Sequence, residues 1–497
     1  MSARGRRTSQ RRARSRRAGR WALTPCVIAG FALLVGPLVL AAQTRGTREA
    51  MQALRFEPIV FEPPVPERHE ISGVRVLLLE DRALPLVTIY ARFRGGYGLF
   101  DREWYAPALG LPALLRYGGT TELSPDSVDT AIDYYAIQTS FGTGGGSVSA
   151  SMNTLTEQLP TAMELWAGLL TRPGFDREQI ELWRDRELES VRRRLDDPGS
   201  LAFAEFNRLM YGDHPVGWAM STEDLEPELL TPERFREMHR RIFCRDNLIL
   251  GVTGDVSWGD VRPLLERLID SIAPCYEALP QSPVPEIRRE PGVFLVERDL
   301  EQAVIVMAHP ASVRLADDPT YYAATIGNSI LGGGGFSSRL LARVRTEEGY
   351  AYSASSLWTM PRRHDGVVGA VTRTRPENAI PAIELILATM EELTAAPPTE
   401  AELRTAVDGV VNGFVFNFEE PGQIVSRMML YVAEDMPEDW LERYLDGIQR
   451  VSPADVRRAF ADHLRPDAMT IMVVGDPDRV GRAALESLGP VTVLELD

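Results

Sequence analysis

The apolar positions along this chain fall into runs of two kinds. Val74–Leu79 and Leu86–Phe93 are aliphatic, β-branched stretches of strand length. Ala106–Tyr117, Leu155–Leu170 and Arg177–Leu195 show the three-to-four spacing of helices. In the second of these, Ala162, Leu165, Trp166, Leu169 and Leu170 form the apolar stripe. Leu248–Thr253 is again a strand; Gly254-Asp255 turns the chain after it, and Ser257 is placed to cap the next helix. Strands and helices come in groups rather than in strict alternation. That grouping predicts an α+β fold, a mixed sheet with helices on one face.

The pattern occurs twice. Asn247-Leu248-Ile249-Leu250-Gly251-Val252-Thr253-Gly254-Asp255 is answered by Ala468-Met469-Thr470-Ile471-Met472-Val473-Val474-Gly475-Asp476, 221 residues on. Pro160-Thr161-Ala162-Met163-Glu164-Leu165 is answered at an offset of 220 by Ile380-Pro381-Ala382-Ile383-Glu384-Leu385. Two segments matching at nearly one offset imply two copies of one fold. The chain of 497 residues suits two such domains, 67–278 and 292–497, joined by a Pro-rich linker at 279–291.

Composition adds a compartment. Nine arginines lie in the first twenty residues, and the uncharged apolar run Trp21–Ala42 follows. This reads as a targeting segment, 1–42, either a signal peptide cleaved after Ala42 or a membrane anchor at 21–42. Basic residues ahead of it favour a cytoplasmic N-terminus and an exported body, in the periplasm or on the outer face of the inner membrane. Residues 43–66, with Pro63, Pro64 and Pro66, read as an extended tether. Taking the nine positive charges from the net −16 leaves −25 on the body, which argues against nucleic acid as a partner. Cys244 and Cys275 either pair in an oxidising compartment or stand as buried thiols, and no CxxC is present.

Several segments together resemble the insulinase/pitrilysin family of zinc peptidases, in particular its two-subunit branch with the mitochondrial processing peptidase. They are Tyr211-Gly212-Asp213-His214-Pro215, Asn328-Ser329-Ile330-Leu331-Gly332-Gly333, Phe336-Ser337-Ser338-Arg339-Leu340 and, most specifically, Val344-Arg345-Thr346-Glu347-Glu348-Gly349-Tyr350-Ala351-Tyr352-Ser353. The resemblance covers about residues 55–490 and implies two homologous α+β domains forming half of a clamshell.

Catalytic members carry His-x-x-Glu-His on a first-domain helix. Two His four apart on one helix face both reach a zinc ion, and the Glu activates the bound water. Anchored on Gly119-Thr120, the ligand positions here fall on Gly110 and Leu114 and the base position on Ala113. None can bind metal or accept a proton. Glu189 lies near the third-ligand position, where a solvated helix carboxylate is the simpler reading. The six histidines, His69, His214, His239, His309, His364 and His463, show no ligand spacing. The expectation is no metal in this chain, and zinc in a partner subunit.

The resemblance implies a second contribution. The family's second domain supplies an Arg and, seven residues later, a Tyr that contact the substrate backbone at the scissile bond; here these are Arg345 and Tyr352. The local pattern agrees: a helix over Ser338–Glu348, Gly349 as its C-cap, then a strand from Tyr350. The plain alternative pairs Arg345 with Glu347 or Glu348 and packs Tyr352 in the core. Arg339 and Arg343 lie on the same helix, Arg339 in a supporting role. Gly332–Gly335 reads as a mobile loop or a tight connection, and Gly142–Gly146 as a place of close backbone approach or a loose hairpin. The resemblance thus implies the non-catalytic subunit of a heterodimeric zinc metallopeptidase, which closes over peptides and supplies Arg345 and Tyr352. The alternative is a structural or peptide-binding module without hydrolysis. No G-x-S-x-G elbow supports an independent hydrolase.

Overall fold

The computed structural model describes residues 63–496; the targeting segment 1–42 and residues 43–62 of the expected tether lie outside the described residues. The first half runs β1 (Glu67–Ile71), β2 (Val74–Glu80), β3 (Leu86–Arg94), α1 (Tyr105–Tyr117), α2 (Pro125–Tyr134), β4 (Gln138–Thr143), β5 (Ser147–Leu155), α3 (Leu159–Thr171), α4 (Arg177–Asp196), α5 (Pro198–Tyr211), α6 (Pro232–Ile242), β6 (Leu248–Gly254) and α7 (Trp258–Ser271). The second half runs β7 (Gly292–Glu297), β8 (Ala303–Ala311), α8 (Pro319–Asn328), two π-helical segments (Ser329–Gly333 and Leu341–Glu347), β9 (Ala351–Trp358), β10 (Gly366–Thr374), α9 (Ala379–Ala395), α10 (Glu400–Val415), α11 (Pro421–Ala433), α12 (Trp440–Gln449), α13 (Pro453–His463), β11 (Thr470–Gly475) and β12 (Val491–Val493).

Each half builds a six-stranded mixed sheet, in the orders β1-β2-β6-β3-β5-β4 and β12-β7-β11-β8-β10-β9. Five strands correspond between the halves. The sixth does not: β1 pairs antiparallel to β2, whereas β12 pairs parallel to β7. The repeated segments supply β6 and β11, and both are buried along nearly their whole length. Covered on both faces, they read as continuous aliphatic runs. The expected α+β class is observed.

Two expectations need correction. Leu155 closes strand β5, and the helix after it begins only at Leu159, with Pro160 in its first turn. Helices also cover both faces of each sheet. The second face of sheet 2 is covered by α5 of the first half, through Leu201, Ala202, Phe206 and Met210 against Val296, Val304, Val306 and Val474. Reciprocally, Val425 and Met429 of α11 lie on Leu77 and Ile249 of sheet 1. Gly251 admits that helix: a Cβ there would lie 2.5 Å from both Met429 Sδ and Val425 Cγ1. The halves are therefore interlocked by exchanged helices. Among the described residues no helix is long and apolar enough to cross a membrane.

Cys244 and Cys275 are disulfide-bonded, with Cα atoms 4.9 Å apart and a sequence separation of 31. The bond ties the loop after α6 to the segment after α7.

Candidate functional site

The region expected to carry the Arg–Tyr pair is built from two π-helical segments and the edge strand β9. Ser329–Gly333 lies directly on β9: a Cβ on Gly332 would sit 2.1 Å from the Ser356 nitrogen, and Ser356 Oγ donates to Asn328 Oδ1 at 2.7 Å. The four-glycine run is thus a tight connection that lets backbone approach backbone. The Gly142–Gly146 stretch does likewise. Gly98 N donates to Gly145 O at 2.9 Å, and a Cβ on Gly96 would fall 1.9 Å from Gly144 O.

Leu341–Glu347 carries Arg343 and Arg345, and Arg339 lies just before it. It ends where Tyr350 N donates to Val344 O at 2.9 Å, with Gly349 in the left-handed region at φ 66°. Strand β9 then starts and projects Tyr352 outward, 79% exposed. The three arginines divide their work. Arg339 forks onto Glu402 at 2.7 and 3.0 Å, and this side-chain hydrogen bond holds the Glu402 carboxyl down at about 2. Arg343 reaches Glu392 at 2.6 and 2.9 Å and Thr389 at 3.2 Å. Arg339 pins the turn leading into the π-helical segment to α10, and Arg343 pins the segment to α9. Arg345 makes no ion pair or hydrogen bond among the described residues. Its guanidinium carbon lies 4.5 Å from the Tyr352 ring centroid and 5.1 Å from that of Phe336. Each such contact contributes about 0.5–1 kcal/mol at an exposed site and restrains the side chain without using its N–H donors. The structure therefore brings Arg345 and Tyr352 together and pairs Arg345 with neither Glu347 nor Glu348. Phe336 was missed in the sequence, where a Phe after four glycines reads as loop; it too is 78% exposed.

The degenerate metal helix is α1. Leu114 is buried and Ala113 packs against the core. Gly110 faces rings: a Cβ there would lie 2.9 Å from Phe235 Cε1 and 3.1 Å from Trp183 Cη2. Phe175 stacks on Phe235 with centroids 5.8 Å apart, and Trp183 meets Phe235 edge-on at 6.2 Å. The residues do not fit a zinc ion, because an aromatic cluster fills the space beside α1 and no donor atom replaces the lost ones. Glu189 is half exposed and pairs with Arg193 at 2.9 Å on its own helix. Among the described residues no three His, Cys, Asp or Glu side chains are grouped to hold a metal.

The histidines have structural partners. His239 is fully buried and bonds Leu170 O at 2.8 Å; burial holds its pKa down at about 4. His309 accepts from Arg465 N at 2.8 Å, and His214 bonds Pro283 O at 3.1 Å in its loop. His463 faces Ser312 Oγ at 3.4 Å, His364 bonds Asp365 O, and His69 stacks on Trp258.

Fold and site together define a peptidase-like scaffold of two interlocked α+β repeats without metal donors at its helix motif. The peptidase M16 inactive domain matches residues 229–410, a span that includes Arg345 and Tyr352. The chain is 27% identical to an uncharacterised zinc protease of Streptomyces coelicolor, over 72% of this chain and 78% of that one. It is 21% identical to the non-peptidase homolog YmxG of Helicobacter pylori, over 82% and 92%. A peptidase M16 inactive domain from Pseudomonas fluorescens shares the fold, with a TM-score of 0.73 and 23% identity over 83% of this chain and 98% of that one. By these likenesses the chain resembles inactive members of the insulinase-type, peptidase M16 family, with the family match confined to residues 229–410.

Proposed function

We propose that this chain is the assisting subunit of a two-part zinc peptidase, as in the two-subunit branch of the family. A zinc-bearing relative closes against it over an unfolded peptide, and Arg345 and Tyr352 complete that partner's active site. The observation that carries this reading is Arg345 itself: the one arginine of its π-helical segment without a carboxylate, stacked beside an exposed tyrosine. A guanidinium fork and a phenol hydroxyl are hydrogen-bond donors. Aimed at the scissile carbonyl, they stabilise the oxyanion by preorganised electrostatics, while the partner's zinc supplies the activated water. The disulfide and the basic-then-apolar start of the chain support an exported, periplasmic setting.

Likeness to a non-peptidase homolog favours a second reading, a peptide-holding module with no part in hydrolysis. Native co-purification, with zinc measured per subunit, separates the two. The first reading expects a stoichiometric zinc-bearing relative and peptide turnover by the complex; peptide binding by a zinc-free complex would establish the second.

A further inference from the structure

The second face of sheet 1 differs from its counterpart in a way the fold does not require. On β3, Thr88, Tyr90 and Arg92 pair with Thr253, Gly251 and Ile249 of β6. At the matching places in the repeat, Val304, Val306 and Ala308 of β8 pair with Val474, Met472 and Thr470 of β11. On β5, Ser149 and Ser151 lie opposite Arg92 and Tyr90. Their counterparts on β10, Gly369 and Val371, lie opposite Ala308 and Val306. One copy thus seals this face with aliphatic side chains beneath a helix, while the other lines it with hydroxyls and a guanidinium.

The polar copy leaves a cleft of about 220 Å³, lined by Tyr90, Arg92, Ser140, Ser149, Ser151 and Ser426 among others. Arg92 Nε is buried there without a hydrogen-bond partner. Arg92 forms no ion pair or hydrogen bond among the described residues. Burial lowers its pKa, and Glu434 only partly opposes this. Glu434 is itself paired with Arg363 at 3.2 Å. The hydroxyls of Ser140, Ser149 and Ser151 likewise have no partner among the described residues. The buried Arg92 Nε is costly to leave without a partner, and the cleft's hydroxyls, open to solvent, are free to bond a ligand that satisfies it.

We propose that this cleft binds a carboxylate the size of an acidic amino-acid side chain, held by the Arg92 fork and the serine hydroxyls. A guanidinium matches a carboxylate in charge and in bidentate geometry. With one cation lining the cleft and Glu420 and Glu434 nearby, a monoanion is matched and a phosphate dianion is not. The carboxylate is borne either on a peptide or on a free small acid. This site stands apart from Arg345 and Tyr352 and does not rest on their role.

The test is fluorescence anisotropy of the full chain with a labelled Glu-containing hexapeptide, its Gln counterpart, and free glutarate as competitor. The parent is expected to prefer the Glu peptide by about tenfold, and Arg92→Gln to abolish the preference. Ser151→Val, which copies the residue of the second sheet, should weaken binding about threefold, and it carries the test should Arg92→Gln fail to fold. Displacement by glutarate would show that a free acid suffices, and resistance to it that the carboxylate must be peptide-borne; both support the site. Equal binding of the Glu and Gln peptides, or a preference unchanged in both variants, would overturn it.

Discussion

Restoring the first missing ligand, Gly110→His, should damage the fold rather than rebuild a metal site. Even a Cβ would stand 2.9 Å from Phe235 and 3.1 Å from Trp183, and Phe235 is fully buried between Phe175 and Trp183. Overpacking of this kind costs about 1–3 kcal/mol. An imidazole placed among rings without a hydrogen-bond partner costs about 1–3 kcal/mol more. Replacing a glycine in a helix interior returns only about 1 kcal/mol. The net expectation is a loss of about 3 kcal/mol, read as a lower urea midpoint at unchanged m. The triple variant Gly110→His, Ala113→Glu, Leu114→His should also lose the buried Leu114 and take up no stoichiometric zinc. A Gly110→His midpoint equal to the parent's, together with a full equivalent of zinc on the triple variant, would refute the claim that packing fills this site.

Two further predictions follow from the same packing. Replacing both Cys244 and Cys275 by Ser opens a closed span of 31 residues, which by chain entropy is worth about 3–4 kcal/mol; denaturation with and without reductant reads it, and an unaltered midpoint under reduction would contradict it. His239 has its pKa lowered from 6.5 to about 4 by burial, so its contribution is complete above pH 6.5 and is lost as pH falls toward 4. That loss is about 3 kcal/mol, and His239→Gln should flatten the stability curve across this window; an equally steep curve in the variant would rule out His239 as the source.

How far the sequence reached depended on what each signal encodes. The aliphatic strands β2, β3, β6 and β11 were legible from composition, and the repeat followed from β6 and β11. Strand β5 was hidden because Ser147, Ser149, Ser151 and Asn153 alternate with Val148, Ala150, Met152 and Thr154 and leave no aliphatic run. Its alternation was present, and Pro160 marked the true helix start. The exchange of α5 and α11 was not legible, because an apolar helix face does not say which sheet it covers. The Cys244–Cys275 bond was an open alternative, since two cysteines in sequence do not reveal their separation in space. Arg345 and Tyr352 came from family resemblance, not spacing. What the structure adds is their stacking, the spending of Arg339 and Arg343 on Glu402 and Glu392, and the contribution of Phe336. Arg92 was visible only by setting β3 beside β8, Thr-Tyr-Arg against Val-Val-Ala.

The central claim is that Arg345 acts in a partner's active site. The most direct test mixes this protein with its zinc-bearing relative and follows cleavage of an unfolded peptide, comparing the parent with Arg345→Ala and Arg345→Lys. Loss of one oxyanion donor predicts a fall in kcat of about 10²–10³ for Arg345→Ala, with complex formation and zinc content unchanged and only partial rescue by Lys. An Arg345→Ala complex that assembles and cleaves as fast as the parent would contradict the account.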